Sequence, residues 1–162
     1  MQKEPMTNIG YTNIKNQLDF LQNSDRPRTI IALEEARQLG DLKENAEYHA
    51  AKDKLRLLDI KITTLQSTIS KAIIIDPKTL SHTKISFGST VKLLDIKNNE
   101  EFKYHIVGSV ESNPDKGLIS FNSPLAKQLV GKEEGDEIIA NLPDGKKEFE
   151  VLNVCYEELD IW

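Results

Sequence analysis

Two carboxylates, Asp41 and Glu44, lie three positions apart in residues 40–45, a stretch that we call the acidic turn. Across one turn of chain, side chains at this spacing come close enough to offer oxygen ligands to one cation. Mg²⁺ takes about six oxygens in octahedral geometry and is usually held by one or two carboxylates with water and phosphate. Two carboxylates on an exposed turn would not retain the ion alone. The pattern therefore predicts a half-site whose remaining ligands come from another macromolecule.

The same residues also have a purely structural interpretation. Gly40 adopts at little cost the left-handed conformation that ends many helices. Asp41 is a candidate N-cap of the following helix, and Glu44 completes the spacing of a capping box. Carboxylates at a helix start also complement the helix dipole. Spacing alone leaves the structural and the metal-binding interpretations open.

Basic residues lie within the acidic turn and on both sides of it. They alternate with acidic residues, so a solvated helix surface with ion pairs along each helix is one interpretation. A patch that touches a phosphodiester backbone through a few contacts is the other. The basic residues are Arg37, Lys43, Lys52, Lys54 and Arg56.

Other catalytic or metal-binding patterns are missing from the sequence. The three histidines are scattered, and Cys155 is the only cysteine, which excludes a disulfide framework and a Cys-cluster zinc site. Neither a nucleophile elbow nor a phosphate-cradling glycine loop is present. The sequence also lacks a signal-peptide pattern and a long apolar run, so we expect a cytoplasmic protein that is not an enzyme by itself.

The residues before the acidic turn are predicted to form a helical arm. Thr7 or Thr12 is a candidate N-cap for a first helix, and apolar residues then recur every three or four positions. The pattern breaks around Pro27, because proline lacks a donor and disfavours helix at the preceding residue. A kink or restart is expected there, and Gly40 ends the arm.

A heptad seam follows the acidic turn and is the clearest periodic signal in the chain. The predicted helix runs from residue 42 to residue 75, roughly 50 Å at about 1.5 Å per residue. Such a stripe needs a partner, and the short turn favours antiparallel pairing with the first arm over a homodimeric coiled coil. The seam residues are Tyr48, Ala51, Leu55, Leu58, Ile62, Leu65, Ile69 and Ala72.

The second half of the chain is predicted to be a small antiparallel-sheet domain with one helix. Ser123 and Pro124 are the expected N-cap and first residue of that helix, and Gly131 ends it. The fold class is therefore α+β with two domains: an N-terminal antiparallel α-helical coiled-coil hairpin, residues 1–78, and residues 79–162. Strands are predicted at residues 85–87, 90–96, 102–107, 118–121, 137–141 and 148–156.

Charge is distributed unevenly between the two halves. Residues 1–78 carry 12 Lys and Arg against 11 Asp and Glu, whereas residues 79–162 carry 9 against 15. Binding to nucleic-acid phosphates is driven by Lys and Arg. The second half is therefore a poor nucleic-acid surface, and any RNA contact by the first half would have to be local.

Two stretches of the chain carry a family resemblance. Residues 35–48, Glu-Ala-Arg-Gln-Leu-Gly-Asp-Leu-Lys-Glu-Asn-Ala-Glu-Tyr, resemble the coiled-coil tip of the Gre transcript-cleavage factors of bacterial RNA polymerase. The amino-acid sequence of this stretch is closer to that of the GreA branch than to that of the GreB branch. A second stretch resembles that family's C-terminal signature: Ile-Ser-Phe-Asn-Ser-Pro-Leu-Ala at 119–126, Leu-Val-Gly-Lys at 129–132 and Gly-Asp at 135–136.

The resemblance implies a C-terminal domain of FKBP-like fold that docks on the rim of the polymerase secondary channel, with Ser123 and Pro124 at the docking surface. The coiled coil would enter the channel of backtracked polymerase. There, Asp41 and Glu44 would help the polymerase hold its second Mg²⁺ during cleavage of the RNA. Arg37 and Lys52 would contact the nascent RNA 3′ segment. The chain would then be a monomeric accessory factor that activates the polymerase's own cleavage reaction.

Two features depart from the family pattern. Lys52 stands where the family often has arginine, and lysine cannot make a bidentate phosphate contact. The tail, residues 157–162, is longer than usual, and Trp162 has no assigned role. Two other functions remain open: a secondary-channel binder that inhibits polymerase, and a prolyl isomerase or chaperone built on residues 79–162.

Overall fold

The computed structural model describes residues 2–159, whose contacts divide the chain into two compact units. Residues 11–71 form the helical unit, and residues up to 10 together with those from 72 onward form the globular unit. This division differs from the predicted boundary after residue 78. The physical reason is a parallel pair of short strands, β1 (Glu4–Thr7) and β2 (Ala72–Ile75), which joins the two ends of the helical segment to the globular unit.

Three helices and one irregular turn follow β1. Helix α1 (Asn8–Phe20) is capped by Thr7, whose Oγ1 accepts a hydrogen bond from Gly10 N at 3.0 Å. A π-helical turn (Leu21–Asp25) leads into α2 (Arg26–Gln38), which carries Pro27 in its first turn. Phe20, Asp25 and Arg26 all have right-handed helical dihedral angles, so the backbone stays helical from Asn8 to Gln38. The expected interruption around Pro27 is a π-helical turn within a continuous helical segment, and the alternative of a restarted helix was wrong. Helix α3 (Ala46–Lys71) follows the acidic turn.

The heptad seam packs within the chain. Leu21, Leu58 and Ile62 form a buried cluster, with Leu18 and Leu65 packed against it. An ion pair between Arg26 Nε and Asp59 Oδ1, 2.7 Å apart, crosses from α2 to α3. The predicted antiparallel hairpin is confirmed, and its apolar stripe is covered by helices of the same chain.

Helix α3 is shorter than predicted. It ends at Lys71, because residues 72–75 leave the helix and pair with β1. These residues include three consecutive isoleucines, whose β-branched side chains favour extended backbone. The expectation of a helix to residue 75 was wrong. At about 1.5 Å per residue, the observed helix spans roughly 39 Å.

The globular unit contains a five-stranded sheet with the order β5-β4-β3-β7-β6. All neighbouring pairs are antiparallel, as predicted, except β4 and β5, which are parallel, so the sheet is mixed. The two-domain α+β class is confirmed. The strands are β3 (Thr90–Asp95), β4 (Glu100–Val107), β5 (Leu118–Ser120), β6 (Glu137–Leu142) and β7 (Gly145–Cys155).

Helix α4 (Pro124–Leu129) covers the sheet and closes its core. Ala126 and Leu129 are fully buried against β3, β6 and β7 residues such as Leu93, Ala140 and Phe149. The predicted strand at residues 85–87 is absent. Instead, Ile85 is held by backbone hydrogen bonds to Gly131 and Lys132 after α4, and its side chain enters the core.

The start of the C-terminal tail is fastened to the globular unit. The Tyr156 ring stacks on His82, and Glu157 Oε2 lies 2.5 Å from Lys103 Nζ. Trp162 lies outside the described residues. Among the helices in residues 2–159, none has the length and apolar character needed to cross a membrane.

Candidate functional site

The acidic turn begins where α2 ends. Leu39 N donates to Ala36 O at 3.1 Å, and Gly40 follows with a φ of +124°. A Cβ at Gly40 would meet no atom within 4 Å, so glycine is favoured here by backbone conformation and not by space. The predicted role of Gly40 as the residue that ends the arm is confirmed.

Asp41 makes a local turn and does not cap α3. Its Oδ1 accepts a hydrogen bond from Lys43 N at 3.0 Å, which is the geometry of an Asx turn. Helix α3 begins five residues later, at Ala46, so the predicted N-cap at Asp41 was wrong. The capping box with Glu44 fails for the same reason, because Glu44 lies before the helix.

The Glu44 side chain is exposed and has no intrachain partner among residues 2–159. Asp41 is also exposed, and only its Oδ1 is hydrogen-bonded there. These carboxylates therefore do not perform the helix-capping role that the sequence predicted for them. No donor in the described part of the chain binds their remaining oxygens, which are therefore available to groups from outside.

Asn45 is the true N-cap of α3, and the sequence analysis missed it. Its Oδ1 accepts from Tyr48 N at 3.1 Å, while its Nδ2 donates to Ala36 O at 2.5 Å in the last turn of α2. Asparagine is among the best N-cap residues, which is the signal that could have identified it. The three-residue spacing of Asp41 and Glu44 matches a capping box, which is why Asp41 was predicted as the N-cap instead.

His49 supplies a second connection between the acidic turn and α3. Its Nε2 lies 3.2 Å from Lys43 O, and its ring packs edge-on against Tyr48 at a centroid distance of 5.5 Å. Exposed apolar side chains accompany the polar ones, since Leu39 is 70% and Leu42 is 41% exposed. The turn therefore presents carboxylates and leucines together.

The flanking basic residues differ in their partners. Arg37 pairs with Glu34 at 3.5 Å, Lys54 with Asp25 at 3.4 Å, and Arg56 with Asp53 at 2.9 Å. Lys43 and Lys52 form no salt bridge among residues 2–159. Arg37 on α2 and Lys52 on α3 are both exposed, so both predicted RNA contacts are accessible.

The donor set of the acidic turn matches part of a magnesium site. Within residues 2–159, no group of three or more His, Cys, Asp or Glu side chains is arranged to hold a metal ion. Two exposed carboxylates that each bind through one oxygen supply about a third of the roughly six oxygens that Mg²⁺ takes. The residues present therefore fit a shared site and do not fit a self-sufficient one.

Ser123 and Pro124 lie in the globular unit at the start of α4. Ser123 Oγ accepts from Ala126 N at 3.2 Å, so the predicted N-cap is confirmed. Pro124 is exposed in the first turn. The serine hydroxyl thus has a local structural task, and the proline ring is the accessible part of this pair.

Comparisons with known proteins cover both units. Residues 4–74 match the family model described as "Transcription elongation factor, N-terminal". Residues 80–156 match the one described as "Transcription elongation factor, GreA/GreB, C-term".

Relatives match over nearly their full lengths. The transcription elongation factor GreA of Aliarcobacter butzleri is 62% identical and covers 99% of this chain and 100% of its own. The protein of that name from Nitratiruptor is 54% identical over 98% of this chain and 96% of its own. The solved GreA factor homolog 1 of Thermus thermophilus is 26% identical over 95% of this chain and 99% of its own, with a TM-score of 0.45.

Proposed function

Since the chain belongs to the GreA/GreB family of transcription elongation factors, we propose that it stimulates RNA polymerase to cleave the 3′ end of backtracked RNA. The helical hairpin enters the secondary channel of the polymerase and delivers the acidic turn to the active centre. The globular unit docks on the channel rim through the surface around Ser123 and Pro124. The factor works in the cytoplasm, as a monomer that makes no chemical step alone.

The availability of the Asp41 and Glu44 carboxylates is the observation that carries this proposal. Exposed carboxylates in a capping box would have a structural task, but here α3 is capped by Asn45. Glu44 makes no hydrogen bond or ion pair within residues 2–159, and Asp41 uses one oxygen. Both side chains are therefore free to complete a site that another protein begins.

Asp41 and Glu44 would hold Mg²⁺ jointly with carboxylates of the polymerase. The ion, when bound, supplies the charge that activates the attacking water and stabilises the leaving oxygen in phosphodiester hydrolysis. The chain's own contribution is delivery and orientation. Helix α3 has 26 residues and carries the turn roughly 39 Å away from the C-terminal end of the helix.

Lys52 and Arg37 would hold the extruded RNA beside the acidic turn. Lys52 has no salt bridge among the described residues, so it can meet a phosphate without first losing an internal partner. Arg37 pairs with Glu34 at 3.5 Å on an exposed surface, where such a pair is weak. A few contacts of this kind suffice for a local RNA segment.

The test uses purified elongation complexes that are stalled in a backtracked position. Added protein should shorten the RNA from its 3′ end, and Asp41→Asn should remove that activity while leaving polymerase binding intact. Asparagine keeps the Oδ1 acceptor for Lys43 N, so the turn itself is preserved. Asp19→Asn makes the same chemical change on the exposed surface of α1 and should cleave normally.

The same assay separates the channel-binding inhibitor, and a proline-isomerisation assay tests the other remaining function. Blocked RNA synthesis without cleavage products would identify a channel-binding inhibitor. Proline isomerisation by the full chain, unaffected by Asp41→Asn, would identify an isomerase. Normal cleavage by the Asp41→Asn variant would refute the shared metal site.

A further inference from the structure

We propose that Asn45 is a positioning residue that holds the acidic turn in place between α2 and α3. The proposal rests on the proposed function, because it concerns the orientation of Asp41 and Glu44 in the cleavage reaction. One side-chain amide serves both helices: Nδ2 donates to Ala36 O at 2.5 Å, and Oδ1 accepts from Tyr48 N at 3.1 Å. Asn45 thereby ties the end of one arm to the start of the other.

Both hydrogen bonds of the Asn45 amide engage backbone groups at helix ends. The last carbonyls of α2 and the first N–H groups of α3 lack intrahelical partners. Ala36 O accepts twice, from Leu39 N at 3.1 Å and from the Asn45 amide, and a carbonyl oxygen has two lone pairs for this purpose. Ala36 is 4% exposed, so this anchor point is inside the hairpin.

The rest of the acidic turn is held only weakly. The Asp41 hydrogen bond to Lys43 N spans two residues and therefore cannot orient the turn relative to the helices. His49 Nε2 lies 3.2 Å from Lys43 O and links the turn to α3 alone. Among the hydrogen bonds described for residues 40–45, the Asn45 amide donates the one that reaches α2.

Loose positioning matters because the reaction depends on geometry. A displacement of about 1 Å in a reacting group costs up to roughly 100-fold in rate. Glu44 immediately precedes Asn45, and its side chain has no other restraint among the described residues. A variant that frees the turn from Ala36 should therefore lower cleavage while polymerase binding persists.

Two conservative substitutions separate this role from helix capping. Asn45→Asp keeps an N-cap oxygen but replaces the donor to Ala36 O with a second acceptor, which the carbonyl repels. Asn45→Ser keeps the cap without adding charge, and its shorter side chain does not reach Ala36 O. Asn16→Asp, on the exposed surface of α1, is the matched control for the added charge.

The experiment measures single-turnover RNA cleavage by full-length protein at saturating concentration, across a range of Mg²⁺ concentrations. Both Asn45 variants should cleave about 10-fold more slowly and need more Mg²⁺ for half-maximal rate. Polymerase affinity should stay within about twofold, and helix content should equal that of the unmodified protein. Hydrogen exchange over residues 39–45 of the free protein should accelerate in both variants.

Three results would overturn the proposal. Wild-type cleavage by both variants would show that the cross-arm hydrogen bond is dispensable, and parallel loss of helix content and binding would reduce Asn45 to a folding residue. Unchanged hydrogen exchange over the turn would also contradict it. If the unmodified protein fails to stimulate cleavage, the proposed function fails, and hydrogen exchange alone still decides whether Asn45 restrains the turn.

Discussion

The carboxylates of the acidic turn and those buried in the globular unit have opposite environments. Glu111 is 1% exposed and accepts hydrogen bonds from Thr7 N at 3.0 Å, Gly108 N at 2.8 Å and the Thr7 hydroxyl. Asp95 is also buried, and accepts from Lys97 N and Asn98. Glu44 has none of these contacts.

This difference distinguishes a structural carboxylate from an available one. Burying an ionised group is costly unless hydrogen bonds compensate, so Glu111 and Asp95 are surrounded by donors. An exposed carboxylate that pairs with nothing in its own chain contributes little to folding. Such a carboxylate remains available to ligands from outside the chain, as the proposed function requires.

Removing the charge of Glu44 should produce the largest effect. Glu44→Gln should lower polymerase-dependent RNA cleavage by about 100-fold or more, the size of effect expected when one electrostatic contact to a transition state is lost. Its free energy of unfolding should change by less than about 0.5 kcal/mol, because an exposed side chain without partners is replaced. Cleavage assays and urea denaturation measure the two quantities. A stability loss as large as the activity loss would contradict the distinction.

Removing Glu111 should lower stability and leave RNA cleavage unchanged, the opposite of the result expected for Glu44. Glu111→Ala leaves three donors without an acceptor and opens a void, so we expect a loss of about 3 kcal/mol in the free energy of unfolding. Cleavage per folded molecule should be unchanged at a temperature where the variant stays folded. Urea denaturation followed by circular dichroism measures the stability change. If the Glu111→Ala variant is as stable as the wild type, the buried carboxylate does not stabilise the fold.

Gly10 tests how tightly Glu111 is held. A Cβ at this position would lie 2.0 Å from Glu111 Oε1, which is pinned by the Thr7 hydroxyl. Gly10→Ala should therefore destabilise the protein by about 1–3 kcal/mol, although alanine normally stabilises a helix relative to glycine. In a Glu111→Ala background the penalty should shrink, and a double-mutant cycle measures that coupling. If Gly10→Ala lowers the free energy of unfolding equally in both backgrounds, the added Cβ does not clash with Glu111.

The smallest effect concerns pH. Burial raises the pKa of Glu111 above its ordinary value of 4.5, even though hydrogen bonds from Thr7 and Gly108 act against the shift. The folded state then binds this proton more tightly than the unfolded state does. The stability contribution is therefore fully present below pH 4.5 and is lost as pH rises through the folded-state pKa.

Glu111→Gln should remove this part of the pH dependence. The difference in free energy of unfolding between the two proteins, measured by urea denaturation at several pH values, isolates Glu111 from Asp95. Burial alone would raise the pKa of Asp95, but hydrogen bonds from Asn98 and Lys97 and the charge of Lys147 lower it, so its contribution has the opposite slope. A difference that stays constant with pH would contradict the assignment to Glu111.

Much of the fold could be predicted because its signals are local. The seam from Tyr48 to Ala72 repeats with helical periodicity, and Pro27 marks the π-helical irregularity of the first arm. Ser123 before Pro124 predicts a helix start from two adjacent residues, and the structure confirms it. The strands β6 and β7 flank a tight turn at Gly145, which has a φ of +124°.

Other features depend on residues that are distant in sequence. The β1–β2 pair joins residues more than sixty positions apart, and neither strand shows the alternation that predicts one. Thr7 and Glu111 lie 104 positions apart, so their hydrogen bonds have no sequence signal. The choice of Asn45 over Asp41 as N-cap is decided by where α3 meets α2.

The helical hairpin, the two-domain class and the position of an acidic turn between two arms follow from periodicity and turn chemistry, which act over a few residues and can be read from the sequence. Which carboxylates are satisfied and which remain available depends on contacts that form on folding. The availability of a carboxylate depends on how many hydrogen-bond donors folding brings to it. Among the described residues there are three for Glu111, one for Asp41 and none for Glu44.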